Sequence, residues 1–125
     1  MDDRAFTKLA DFLLKIPALD GPIFKGTDKN DLWWVKFSIN INHQLAWHVV
    51  QELGFVLNNL SIQENLPTVF YPVSPPPYLN GSPKDYLSWV IETKSKKFKP
   101  GTCARWLESR LPQPVEDEAQ WQVDE

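Results

Sequence analysis

The run Leu32–Ile41, "LWWVKFSINI", constrains the fold more than any other stretch of the chain. Val35, Phe37, Ile39 and Ile41 alternate with Trp34, Lys36, Ser38 and Asn40. A period of two suits a half-buried strand and no helix, and the β-branched and aromatic residues reinforce it. One face of that strand must be covered by a second layer, while Trp34 falls on the polar side. With 125 residues, 42% of them apolar, there is material to supply the layer. A globule of this length buries roughly two-thirds of its unfolded surface and folds without disulfide or metal.

The flanking segments supply helices. Residues 3–16 place Phe6, Leu9, Ala10, Leu13 and Leu14 on a helical stripe, with Asp2 or Asp3 as cap and Pro17 as stop. Residues 17–31 are rich in turn formers. Asn42 is the expected N-cap of a helix over 43–60. Its apolar face is Leu45, Ala46, Val49, Val50, Leu53, Val56, Leu57 and Leu60, and its far side carries Trp47, His48, Gln51, Phe55 and Asn58.

"PTVFYPV", residues 67–73, reads as a short strand. Val69, Tyr71 and Val73 share one face, Phe70 the other, and Pro72 marks an edge or a strand end. Residues 84–93 alternate at Leu87, Trp89 and Ile91 and are read as a strand, although Ser82-Pro83 also resembles a helix start. A last helix is expected from about Pro100, capped by Thr102 and stopped by Pro112. Residues 113–125 are acidic and are expected to form a loosely packed tail, pinned if at all by Trp121.

The order helix-strand-helix-strand-strand-helix predicts one α+β domain over residues 1–125, a small two-layer sandwich of the ferredoxin-like, split βαβ kind. Its missing fourth strand could come from "GPIFKG", from the tail or from a second subunit.

Charge and cysteine content narrow the function. A net charge of −3 gives no general attraction to nucleic acid or anionic membrane. Cys103 is the single cysteine, which excludes an internal disulfide and points to a cytoplasmic setting. The first sixteen residues carry charges and suit neither a signal peptide nor a membrane span. Asn80-Gly81-Ser82 is read as turn chemistry rather than as a glycosylation site.

No catalytic residue, metal site or cofactor is expected. Cys103 shares a helical stripe with Trp106, Leu107 and Leu111 and reads as a buried small hydrophobe. His43 and His48 stand about 140° apart on a helix and cannot grip one metal together. "KSKKFK", Lys94–Lys99, interleaves Phe98 with lysines in a pattern that can hold single-stranded nucleic acid, but the acidic chain ranks that reading last.

Aromatics are the surplus. Trp34, Trp47 and Phe55 fall outside the apolar stripes, and large surface aromatics favour protein interfaces. The loop from Tyr71 to Pro83 holds five of the eleven prolines, including a Pro75–Tyr78 match to the PPxY pattern. Serial prolines restrict the unfolded chain, so this is read as a stiff connection presenting Tyr71 and Tyr78 on a rigid rim. The favoured function is protein binding of the adaptor, inhibitor or immunity type. Trp34, Trp47, Phe55, Tyr71 and Tyr78 are the contact residues, and the partner is another protein or a second copy. The alternative is a small enzyme or ligand-binding protein whose pocket is lined by Tyr71, Tyr78 and Trp89.

Overall fold

The computed structural model describes residues 3–60, 67–73 and 86–121. Helix α1, Asp3–Leu13, leads into strand β1, Leu19–Thr27, and strand β2, Trp33–Asn40. Helix α2, Ala46–Gly54, runs on as a π-helical segment, Phe55–Leu60. Strands β3, Thr68–Val73, and β4, Tyr86–Thr93, follow, then helix α3, Pro100–Arg110, and a 3₁₀ turn, Glu118–Trp121.

These strands form one sheet in the order β1-β2-β4-β3, antiparallel throughout. Because β2 and β3 both run antiparallel to β4, they are parallel to each other with β4 between them. The connection β2-α2-β3 is therefore a split βαβ unit. The fourth strand is β1, which holds "GPIFKG", the first of its three expected sources, within a stretch otherwise read as turns. A helix and a strand thus precede this unit, so the chain order is not that of the expected ferredoxin-like sandwich.

Alternation in β2 buries Trp33, Val35, Phe37 and Ile39 and leaves Trp34, Lys36, Ser38 and Asn40 half-buried. The buried set joins one core with Leu9 and Leu13 of α1, Val49 and Leu53 of α2, and Cys103 and Leu107 of α3. Trp33 lies at its centre, edge-on to Phe6 with centroids 6.3 Å apart and stacked on Phe98 at 6.4 Å. Its indole Nε1 donates to the Phe98 carbonyl at 2.6 Å.

Several boundaries differ from the sequence reading, each for a local reason. On α1 the buried stripe takes Phe12 and leaves Leu14 half-exposed, because the helix ends at Leu13 and the chain turns. Asn42 does not cap α2. Its amide is taken by the Asn40 side chain, His43 Nδ1 accepts the Leu45 amide, and Leu45 becomes the N-cap. Thr102 does not cap α3 either, since the helix starts earlier, with Lys99 at the N-cap and Pro100 at the first turn. The tail is not loose in its described part: Val115 and Trp121 are buried, and Trp121 Nε1 donates to the Val115 carbonyl at 2.8 Å.

Candidate functional site

All three helices contribute to the core on one face of the sheet. The opposite face carries three cross-strand rows. Phe24, Lys36, Val90 and Tyr71 form the middle row, one residue from each strand. Gly26, Trp34, Glu92 and Val69 form the next, and Asp20, Ser38, Ser88 and Val73 the third. At ordinary strand spacing, Phe24 and Tyr71 stand roughly 14 Å apart. Val90 and Ser88 on this face are buried, and Val90 stands outside the core cluster of the helix side.

No described helix packs on this face, and it is aromatic. Phe24 is 53% and Tyr71 38% exposed, and Trp34 is half-buried. The Trp34 ring lies so close to β1 that a Cβ at Gly26 would sit 2.7 Å from its Cζ2. Glycine at that position lets the indole approach the neighbouring strand closely. Charges on this face are tied to aromatics. Lys36 Nζ lies 5.4 Å from the centroid of Phe24. The Tyr71 hydroxyl is bonded to Glu92, and its pKa is raised first by burial and then by that carboxylate's hydrogen bond and charge.

The sheet edges are closed to strand addition in two ways. On β3, Phe70 N–H donates to Asn58 Oδ1 at 2.8 Å and Asn58 Nδ2 donates to Phe70 O at 2.9 Å. One side chain thus occupies both edge groups of that residue. Thr68 Oγ1 also donates to the Leu57 carbonyl at 2.9 Å, fixing the π-helical segment against the same edge. On β1 the edge is interrupted by Pro22, by an irregularity between Asp20 and Phe24, and by exposed Lys25.

The five contact residues read from the sequence do not form one patch. Trp34 and Tyr71 share the open sheet face. Trp47 and Phe55, 53% and 49% exposed, lie on the outer side of α2 and its π-helical extension, across the core from them. Tyr78 lies outside the described residues, as does most of the proline loop. Phe24 joins Trp34 and Tyr71 but is not among the expected contact residues; its signals were its place in "GPIFKG", a possible fourth strand, and the alternation of Phe24 and Gly26 against Ile23 and Lys25. The alternative pocket, lined by Tyr71, Tyr78 and Trp89, has Tyr78 outside the described residues and its other two members on opposite faces of the sheet. Trp89 stacks on Phe70 at 4.9 Å on the core face, away from Tyr71.

The reactive groups stay apart. Burial pushes the Cys103 thiol up to about 12, which leaves it protonated and unreactive at neutral pH. His43 Nε2 lies 3.7 Å from Glu118, linking the turn before α2 to the tail. Among the described residues no group of three His, Cys, Asp or Glu could hold a metal, and no helix is long and apolar enough to cross a membrane. A cavity of about 440 Å³ between α1, the end of α3 and the tail is lined by Phe12, Lys15, Glu108, Pro114, Val115 and Glu116. It does not adjoin the aromatic face. Comparison with protein-family models, curated proteins and solved structures finds no match.

Proposed function

We propose that this protein works by binding another protein through the aromatic face of its sheet, as an adaptor, inhibitor or immunity protein does, with no chemistry of its own. The observation that supports this reading is the placing of Phe24, Trp34 and Tyr71 in adjacent rows on a face that no described helix covers. Aromatics held this way give large contact area at small entropic cost, and the two tied charges supply register. The blunted edges favour docking onto the face over strand addition.

The split βαβ core, with β1 beside β2, has the neighbour relations of a ferredoxin-like sandwich whose edge strand comes from the front of the chain. Such a frame presents one sheet face by construction. A lone, buried thiol suits work in the cytoplasm.

Affinity capture from the native host tests the reading. Phe24→Ala/Tyr71→Ala is expected to lose the protein captured by the native chain, while Trp47→Ala/Phe55→Ala retains it. Sedimentation of the purified protein reports whether the partner is a second copy. Equal capture by both double variants would overturn the assignment of this face.

A further inference from the structure

Four lysines in six residues, Lys94, Lys96, Lys97 and Lys99, occupy the connection from β4 to α3, and all four are exposed. The loop holding them is pinned at every step. Lys94 N donates to Pro67 O at 2.7 Å, Ser95 N to Thr93 Oγ1 at 3.2 Å, and Lys97 N to Ser95 Oγ at 3.2 Å. Phe98, the aromatic of the run, is turned inward and held by the Trp33 indole. Burying Phe98 leaves the lysines on the outside.

Two more lysines reach the same end from distant parts of the chain. The Lys8 side chain of α1 runs beside Gly101, its Cδ 3.9 Å from where a Cβ would stand. Lys25 of β1 places its ammonium 5.7 Å from the centroid of Phe6, which itself packs on Trp33. Among the described residues no carboxylate pairs with Lys8, Lys94, Lys96, Lys97 or Lys99. Among the described residues, acids toward this end include Asp28 and Asp31 in the β1–β2 turn and Glu92, two residues before Lys94; Asp28 Oδ1 is turned onto the Asn30 and Leu32 amides. Exposed Glu108, Glu116, Asp117 and Glu118 belong to the other end of α3, roughly 14 Å away along a helix of this length.

We infer that this lysine pole is a docking surface for an acidic protein segment. Its charges come from the β4–α3 loop and from Lys8 of α1, held in fixed relation by the Phe6–Trp33–Phe98 stack, so the field is preorganised. Nucleic acid fits it less well. Phe98 offers no exposed ring for base stacking, and the loop has no arginine for bidentate phosphate contact. The net negative charge also opposes approach of a long polyanion. This inference goes beyond the open sheet face and does not require it.

The probes are an octaglutamate peptide and a nine-nucleotide oligothymidylate, titrated against the native protein at about 50 and about 200 mM salt. The peptide is expected to bind more tightly than the oligonucleotide and to lose affinity about tenfold at the higher salt. Lys94→Gln/Lys96→Gln/Lys97→Gln/Lys99→Gln is expected to weaken it about tenfold or more with the thermal midpoint unchanged, since all four side chains are exposed. Lys15→Gln/Lys36→Gln and Phe24→Ala/Tyr71→Ala should leave it intact, which separates this pole from the sheet face. Tighter binding of the oligonucleotide, binding unaltered in the quadruple variant, or no binding of the peptide at the lower salt would each overturn the inference.

Discussion

The Trp34 indole packs onto Gly26 across the aromatic face of the sheet, so close that a Cβ there would stand 2.7 and 3.0 Å from two of its atoms. The pair joins β1 to β2 through a contact that only glycine permits. Gly26→Ala is expected to push the ring off β1 and to cost about 1–3 kcal/mol, the range for overpacking. Urea unfolding measures the loss, and adding Trp34→Val should recover part of it. Equal loss in the single and double variants would show that the ring is not what the methyl meets.

The two bonds between Asn58 and Phe70 predict a specific edge defect. Asn58→Asp keeps an acceptor for the Phe70 amide but faces the Phe70 carbonyl with a second acceptor, so it should destabilise by about 1–3 kcal/mol. Asn58→Leu removes both bonds and frees the β3 edge. Light scattering on warming should then rise earlier than for the native protein, because an uncapped edge can pair with another chain.

How far the sequence carried the fold is visible in particular residues. The alternation of β2 was legible because one face is fully buried and period two has no helical equivalent. Its partner β1 was legible only as one of three possible sources of a fourth strand, because Gly21, Pro22 and Gly26 read as turn chemistry and the register slips between Asp20 and Phe24. Half of the open face was lost with it. Asn58 was read as a polar-face residue because an α-helical period was assumed to Leu60. From Phe55 the segment is π-helical, and Asn58 meets the β3 edge. Phe98 was read as a ring among lysines; its true neighbour, Trp33, is 65 residues away. No local pattern carries that information. Trp34 and Tyr71 were both named, yet only the sheet order brings their strands to opposite sides of β4.

The Trp33–Phe98 bond should govern the order of the basic loop. Trp33→Phe keeps an aromatic ring in the core but leaves the Phe98 carbonyl without its indole donor. A cost of about 1–3 kcal/mol is expected for that buried acceptor, with a further contribution from the smaller ring. Hydrogen exchange should quicken at the amides of Lys97, Phe98 and Cys103, which belong to the loop and the start of α3, before it quickens in β2. Uniform acceleration across the sheet would instead indicate a global loss with no special hold on the loop.

Alkaline pH should unfold the protein through Cys103. The thiol titrates near 9.0 when exposed and is pushed up to about 12 by complete burial in the folded chain. Between those values the unfolded state has released a proton that the folded state still holds. Stability is therefore at its full value below pH 9 and falls as pH rises toward 12, at up to about 1.4 kcal/mol per pH unit. Tyr71, raised above its ordinary value of 10.0, adds to the same limb with a smaller, solvent-screened share. Urea midpoints measured from pH 7 to 11 should stay level and then drop. Cys103→Ala should start lower, through the lost packing of the sulfur, and should show a shallower alkaline fall. Iodoacetamide should label the native thiol only at the rate of unfolding. Prompt labelling at neutral pH without denaturant would contradict the buried, protonated state on which the alkaline limb depends.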